Sequence, residues 1–375
     1  MNIGALKPLE QEIEFYLRFA WEVGKDNTIT EDVDKYLEWW INTTFSGNHG
    51  EEMAQVLNEF AQLTNVRKIE QLDTDTFSHN AYGDEASVRM IHYQKLFDRA
   101  NKVYDMLPQN EKDAFFQMCL MKIHAAYISN AMYYYADRSA LCVKQGKNNA
   151  ARTYVKYCRE YDDVRRKMLE YYGKKMSEGK WEKIVTPEDF PPPRTAMFPA
   201  CVPPLSMAVK KLIVDCWNNE SELRFVTKAI KWIQVANSGE GELSYKIEAP
   251  SWVTLSDCQG MVGAEKRIFV SISDDDTGIK EDVIKVYCKE TSQCIEIPVF
   301  ADLSNADILN IEDGGIIDIK ADTAAEFFDS KYQGWKVIKR LGRGEGNLVE
   351  AVQKGAALTY SFFILDYSRR CRESG

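Results

Sequence analysis

The pattern of hydrophobic and polar positions divides the chain into a helical half and a β half. Between Asp113 and Gln145, apolar or aromatic side chains fall on almost every side of a helical wheel. A helix that is apolar most of the way round is buried in a core, whereas a surface helix keeps one polar face. Gln117, Lys122 and Asn130 interrupt the stretch, which is not typical of a membrane span. This segment is therefore predicted to be the central helix of a bundle. The helix is expected to end at Gly146.

Helical periodicity extends to both sides of this central segment. Apolar residues recur at helical spacing in five further segments, which begin near Pro8, Thr30, Glu51, Ala86 and Asn149. Thr30 is expected to cap the second of these helices, because acids follow it in the first turn. Residues 1–182 are therefore predicted to form an all-helical bundle of five or six helices.

Proline density and a change of period mark the β half. Seven of the 11 prolines fall between Pro187 and Pro204, a density that no helix survives. Residues 183–220 are therefore predicted to be a Pro-rich strap or linker. Beyond it, short alternating segments are separated by turns rich in Gly, Asp and Ser, which is typical of strands. Residues 221–302 are predicted to form an antiparallel β-sandwich, and residues 303–375 a partial second β module that we expect to be truncated.

Charge and cysteine usage narrow the classes of function. A net charge of -10 argues against nucleic acid and membrane partners, which need a concentrated positive surface. The N-terminal residues MNIGALKPLEQE have neither the basic nor the apolar region of a signal peptide, so the compartment is left undetermined. Nine cysteines without CxxC spacing are expected to be reduced and mostly buried. Cys288 and Cys294 flank a predicted hairpin turn and could pair in an oxidising compartment.

The residues alone do not assemble an active, cofactor or metal site. The four histidines, His49, His79, His92 and His124, lack helix-face metal spacing, and His124 is expected to be a hydrogen-bonded core residue. The run Asp274–Asp276 lacks the spaced ligands of a calcium loop and is predicted to be a turn. Gly342, Gly344 and Gly346 lack the Lys-Ser/Thr end of a phosphate loop. We therefore predict no catalytic, cofactor-binding or metal-binding residues in this chain, and no cofactor.

Several stretches resemble, in order, segments of one enzyme family. They are NIGALKP at 2–8, EFYLRFAW at 14–21, RKIEQL at 67–72, LPQNEKDAFFQMCLMKIHAA at 107–126, PSWVTLS at 250–256 and GWKVIKRLGRGEGNLVE at 334–350. Together they resemble the C-terminal half of glycoside hydrolase family 115, the xylan α-1,2-glucuronidases. Ala5 stands where the motif of this family usually has an acid.

The resemblance implies a role without chemistry of its own. In that family the catalytic carboxylates belong to a barrel that this chain lacks, so no catalytic residue carries over. The intact enzymes release (4-O-methyl)glucuronic acid from xylan side chains, using paired carboxylates. We therefore expect a non-catalytic C-terminal fragment that scaffolds the barrel domain and is inactive alone, with homodimerisation as a further candidate role. The intact enzyme would be expected in the periplasm or outside the cell, with glucuronoxylan or its oligosaccharides as ligand.

Two other functions are left open by the residues. A carbohydrate-binding module could use Trp252, Tyr332 or Trp335 to stack on a xylan chain. A free-standing interaction protein without a glycan role is the other alternative. The aromatic runs Trp39–Trp40 and Tyr133–Tyr135 could also stack on sugars, although packing between helices is their expected role.

Overall fold

A computed structural model places a helical half before a β half, as the sequence predicts. It describes residues 8–80, 84–184, 209–217, 220–273, 278–304, 310–313, 316–323, 334–338 and 347–364. The prolines from Pro187 to Pro204, the run Asp274–Asp276, Tyr332 and the glycines of LGRGEGN lie outside these ranges. Within these ranges, no helix combines the length and apolar character needed to cross a membrane.

The described helical half contains seven α-helices in chain order. They are α1 (Glu10–Glu22), α2 (Val33–Thr44), α3 (Gly50–Val66), α4 (Glu85–Met106), α5 (Gln109–Phe115), α6 (Met121–Lys144) and α7 (Asn148–Glu170). A π-helical stretch, Phe116–Leu120, joins α5 to α6 in helical backbone, so the predicted central helix is present but contains this bulge. Gly146 ends it with a φ of 74°, a left-handed conformation that glycine adopts at no steric cost.

The bundle core forms around α6. Ile123, Ala126 and Met132 are fully buried there, in one cluster with side chains of α2, α3, α4 and α7. The aromatic runs pack as expected, since Trp40 and Tyr133 are buried between helices. Burial on nearly all sides explains why α6 has no polar face.

The prediction that Thr30 caps α2 is wrong. Thr30 lies in a 3-10 turn, Ile29–Glu31, and its hydroxyl donates to Glu22 Oε2 over 2.6 Å. Asp32 caps α2 instead, because its Oδ1 accepts a hydrogen bond of 3.2 Å from the Lys35 backbone N–H. The acids that follow Thr30 therefore belong to the turn and the cap rather than to the first turn of the helix.

The described β half contains 11 strands. They are β1 (Leu212–Cys216), β2 (Leu223–Phe225), β3 (Lys231–Asn237), β4 (Leu243–Glu248), β5 (Val253–Leu255), β6 (Gln259–Val262), β7 (Glu265–Ile272), β8 (Lys280–Cys288), β9 (Gln293–Ala301), β10 (Trp335–Ile338) and β11 (Leu348–Ala351). One sheet has the order β1-β3-β7-β5 and the other β2-β9-β8-β4-β6, while β10 and β11 form an antiparallel pair. Side chains of the two larger sheets share one buried core, which makes them a sandwich.

Two details of the sandwich differ from the pattern read in the sequence. Strand β2 pairs with β9 in parallel, whereas the other strand pairs of the described sheets are antiparallel. Strand β1 lies within residues 183–220, the range assigned to the strap, and pairs with β3 through Leu212 and Asn237. A strand of only five residues gives a weak alternating pattern, and the nearby prolines favoured a strap over this range.

Cys288 and Cys294 are both free thiols. In the β8–β9 hairpin Cys288 lies opposite Gln293, and Cys294 lies opposite Tyr287. Successive residues of a strand point to opposite faces of the sheet, so the two thiols face away from each other. Accordingly, Cys288 is buried and Cys294 is exposed.

Candidate functional site: an ionic junction between the bundle and the sandwich

A buried carboxylate, Glu265 at the start of β7, is the centre of the junction. Its Oε1 accepts hydrogen bonds from Arg138 Nη2 at 2.7 Å and Nε at 2.9 Å, and from the Tyr154 hydroxyl at 2.5 Å. Its Oε2 lies 3.2 Å from Lys147 Nζ. The side chains of Glu265 and Arg138 are only 2% and 4% exposed. One sandwich carboxylate is thereby bound by three side chains of the bundle.

Lys147 connects this carboxylate to a second one. Its ammonium group, 1% exposed, is ion-paired with both Glu265 and Asp215 of β1. Lys147 directly follows Gly146, whose positive φ turns the chain from α6 into α7. Gly146, which was predicted to end the central helix, therefore also places Lys147 against the sandwich.

A second ion pair joins the two halves at a different point. Asp84, at the N-terminus of α4, pairs with Arg267 of β7 over 2.6 Å, and its side chain is almost fully buried. The Arg267 guanidinium lies 4.3 Å from the ring centre of Trp232. Asp84 also caps α4, since its Oδ1 accepts from the Ser87 backbone N–H over 3.1 Å. The start of α4 is therefore fixed to the same strand that carries Glu265.

Burial and neighbouring charges shift the pKa values of several groups in the junction. Burial alone would raise the pKa of Glu265, but the charges of Arg138 and Lys147 outweigh it and hold the pKa below its usual value. Burial, and then the charge of Glu265, raises the pKa of Tyr154. The same two causes raise the pKa of Cys142 to about 12. At neutral pH Glu265 is therefore ionised, while Arg138 and Tyr154 keep their protons. This favours a structural role over proton transfer.

Two carboxylates also meet at a small cavity inside the bundle. Asp73 and Asp137 line it together with His79 and Arg89, and its volume is about 20 Å³. This is room for about one water molecule, whereas a glycosidase must hold a sugar ring between its carboxylates. Burial raises the pKa of Asp137 to about 7, so the acid resembles a catalytic one in its pKa but not in its surroundings.

An open groove lies beside the turn between α6 and α7. Its volume is about 1290 Å³, and it is lined mainly by that turn, β1 and the β8–β9 hairpin. Glu290 is the only carboxylate among the described residues that line it. The paired carboxylates of glycoside hydrolysis are therefore not found in this groove.

The histidines are placed as isolated residues. His124 is hydrogen-bonded to Asn101 over 3.2 Å, as predicted, and burial lowers its pKa to about 4. His79 is buried, neither ring nitrogen has a hydrogen-bond partner, and burial lowers its pKa to about 4. Among the described residues no group of three His, Cys, Asp or Glu side chains could hold a metal ion.

The candidate sugar-stacking residues do not form a platform in the described part of the chain. Trp252 packs against the sandwich core, with Lys280 Nζ 5.9 Å from its ring centre. Trp335 is partly buried on β10, in a different sheet.

The residues of the junction were not predicted from the sequence. One signal was available, because Asp137 and Arg138 are adjacent charges inside a segment that is otherwise apolar on nearly all sides. Buried charges are almost always paired, so these two residues could have indicated a contact to another part of the protein. Nothing in the local pattern identified Glu265 as the partner.

Comparison with known proteins finds a family match in the N-terminal part of the helical half. Residues 1–71, which include α1, α2 and α3, match the model of glycosyl hydrolase family 115. The bundle that surrounds α6 is built partly from this matched segment. No curated protein matches the chain.

Three of the solved structures that match the chain cover different shares of it. A family GH115 4-O-methyl-α-glucuronidase, BtGH115A, with specificity for decorated arabinogalactans, matches at 14% identity and a TM-score of 0.42. The match covers 72% of this chain and 42% of that enzyme, so the chain spans less than half of its length. The PapD-like domain 7 of human CEP192 matches 28% of this chain and 93% of its own, at 10% identity and a TM-score of 0.22. SSP-19, an MSP-domain protein of Caenorhabditis elegans, covers 22% of this chain and 94% of its own, at 13% identity and a TM-score of 0.19.

Proposed function

We propose that this chain is a non-catalytic supporting unit of a family 115 α-glucuronidase, and that it holds the catalytic domain of that enzyme. The match of residues 1–71 to the family carries the proposal. The ionic junction supports it, because Glu265, Arg138 and Lys147 are fully engaged in joining bundle to sandwich. Charged groups used in this way give the unit rigidity, which a scaffold needs.

The substrate of the assembled enzyme is proposed to carry uronic acid side chains. Glucuronoxylan is the first candidate, and decorated arabinogalactan, for which BtGH115A is specific, is assayed beside it. In either case the uronic acid would bind to the catalytic domain rather than to this chain.

The direct test is an assay of the purified chain alone. It would be incubated with aldouronic acids, glucuronoxylan and decorated arabinogalactan, and free glucuronic acid and its 4-O-methyl ether would be quantified. An intact family 115 enzyme serves as the positive control. We expect no release by the chain, and clear turnover would refute the proposal.

Affinity electrophoresis on the same polysaccharides tests the rival role of a carbohydrate-binding module. A supporting unit should migrate at the same rate with and without polysaccharide in the gel. Retardation that is lost in Trp252→Ala would favour the carbohydrate-binding module instead. Homodimerisation, which the unit could add to its scaffold role, would be measured separately by sedimentation velocity.

A further inference from the structure

His79 lies in the loop before α4 and is buried without a hydrogen-bond partner. The residue is 7% exposed, and neither Nδ1 nor Nε2 of its ring is hydrogen-bonded. The ring packs against Tyr134 of α6, with 5.0 Å between the two ring centres. A neutral imidazole tolerates these surroundings, whereas an imidazolium would bury a positive charge without an acceptor. We call residues 73–80 the His79 loop.

Tyr134 connects this histidine to one of the two ion pairs between the bundle and the sandwich. Its hydroxyl lies 3.0 Å from the Ser87 hydroxyl, which donates to Asp84 Oδ2 over 2.6 Å. The same Asp84 oxygen accepts from Arg267 Nη2 of β7 over 2.6 Å. A short chain of contacts therefore leads from the His79 ring to the Asp84–Arg267 pair.

Charged and titratable groups from four parts of the chain lie around His79. They are on α6 (Tyr134, Asp137 and Arg138), at the start of α4 (Asp84, Glu85 and Arg89), in the His79 loop (Asp73) and on β7 (Glu265 and Arg267). Burial lowers the pKa of His79 most and the charge of Arg138 lowers it further, whereas Asp84 and Glu265 raise it. Together these effects lower the pKa to about 4. Protonation is therefore favoured only when the ring leaves its buried position.

Both carboxylates of the junction are engaged with other donors. Asp84 accepts from the Ser87 hydroxyl and from Arg267, and Glu265 accepts from side chains of the bundle. No hydrogen bond joins either carboxylate to His79. A proton on His79 thus gains no ion pair while the junction is closed, but water hydrates the charge once the loop has moved outward.

We infer that His79 is an acid-sensitive switch in the junction: protonation of its ring moves the His79 loop outward and opens the contact between bundle and sandwich at the Asp84–Arg267 pair. Without the ring against Tyr134, water reaches Asp84, and an ion pair exposed to water contributes little. The hydrophobic cores of the bundle and of the sandwich are separate clusters, so both halves keep their folds while this contact opens. Acid therefore favours the open form, and neutral pH favours the closed one.

The test compares variants of the full chain that differ in one buried histidine. Because Asp137 of the same cavity titrates in the opposite sense, the parent protein carries Asp137→Asn. His79→Gln removes the titrating ring from this parent. His124→Gln, the control, removes another buried histidine, which is bonded to Asn101 inside the bundle and lies away from the junction. Circular dichroism would verify that each variant folds.

The readout is hydrogen exchange of two backbone amides, followed by NMR at pH 8 and pH 5 and corrected for the intrinsic pH dependence of exchange. The Ala86 N–H donates to the Ser78 carbonyl of the His79 loop over 2.9 Å, and the Ser87 N–H donates to Asp84 Oδ1 over 3.1 Å. Both bonds break when the loop moves outward. The amide of Ala126, in the buried middle of α6, reports global unfolding instead.

In the parent and in the His124→Gln variant, we expect the Ala86 and Ser87 amides to exchange about 30-fold faster at pH 5 than at pH 8. This factor follows because a proton binds the open form with a pKa near 6.5 and the closed form with a pKa of about 4. In the His79→Gln variant the rates at the two pH values should agree within about twofold. Exchange at Ala126 should not accelerate in any of the three proteins.

Equal acceleration in all three proteins would overturn the inference, as would an equal acceleration at Ala126 in the parent, which would indicate global unfolding. An NMR titration of the His79 ring in the parent gives a second test that needs no substitution at this position. We expect a pKa well below 6.5 for this ring, and a ring that titrates near 6.5 would also overturn the inference. None of these results depends on glucuronidase turnover, which tests the proposed function separately.

Discussion

Arg138 of α6 and Glu265 of β7 form a buried ion pair of 2.7 Å across 127 residues of sequence. The pair joins the helical bundle to the sandwich, and Lys147 and Tyr154 bind the same carboxylate. Two buried charges of opposite sign stabilise a fold only while both are present, because either alone is a desolvated charge without a partner. The junction therefore predicts that the two halves of the chain unfold together.

Glu265→Gln should strongly destabilise the protein. The substitution keeps the size of the side chain but leaves Arg138 and Lys147 buried with one negative charge fewer. We expect a loss of about 3–5 kcal/mol in the free energy of unfolding, measured by urea denaturation. Calorimetry should show two separate transitions in the variant, where the wild type has one.

Glu296→Gln is the matched control for that variant. Glu296 pairs with Lys285 over 3.1 Å on the sandwich surface, with both side chains exposed. Removing this pair should change the free energy of unfolding by less than about 1 kcal/mol. Equal effects of the two substitutions would show that the junction does not join the halves.

The pair of Asp84 and Arg267 should contribute its own coupling energy. A double-mutant cycle with Asp84→Asn and Arg267→Gln keeps the cap of α4, because asparagine also accepts from the Ser87 backbone. We expect a coupling of about 1–2 kcal/mol, since the carboxylate is buried. The same cycle for the exposed pair Arg152 and Glu240 should give a value near zero. Independent effects of the Asp84 and Arg267 substitutions would contradict this coupling.

Gly50→Ala should weaken the packing of α2 against α3. An added Cβ at this position would overlap the Glu38 carbonyl oxygen and the Asn42 side-chain amide of α2. A backbone oxygen cannot move without shifting the helix, so we expect a loss of about 1–3 kcal/mol in thermal or urea unfolding. Gly278→Ala is the control and should be almost neutral, because no atom of the described residues lies within contact distance of an added Cβ there. A neutral Gly50→Ala would contradict the close approach of the two helices.

The small cavity in the bundle predicts two opposite pH effects. Asp137, with its pKa raised to about 7, binds a proton in the folded state before the unfolded state does, so its stabilising contribution is lost as pH rises from 4 to 7. His79, with its pKa lowered to about 4, is protonated first in the unfolded state, so its contribution is lost as pH falls from 6.5 to 4. The two contributions partly cancel in the wild type.

Single variants should separate the pH dependence of stability due to Asp137 from that due to His79. Relative to wild type, Asp137→Asn should gain about 1–2 kcal/mol of stability between pH 4 and pH 8, a value below the full shift because the carboxyl is partly solvated. His79→Gln should gain relative stability as pH falls from 6.5 to 4. The measurement is urea unfolding at several pH values, and a pH-independent difference for both variants would contradict the assignment.

Local sequence patterns predicted the helices and strands. The contacts between distant elements could not be predicted from them. The apolar surroundings of α6 were visible in the sequence, as was its end at Gly146. Periodicity also identified α1 as a helix, but it does not reveal which side chains contact α2, where Phe15 packs against Tyr36. The partners Arg138 and Glu265 lie too far apart in sequence for any local pattern to connect them.

The central claim, that the chain supports a catalytic domain and performs no hydrolysis itself, is tested most directly by one titration. The rate of glucuronic acid release from glucuronoxylan by a separate family 115 catalytic domain would be measured against increasing amounts of this chain. We predict no release by the chain alone, and a rate that rises with added chain and saturates near equimolar amounts. Release by the chain without the catalytic domain, or a rate that the chain does not change, would contradict the claim.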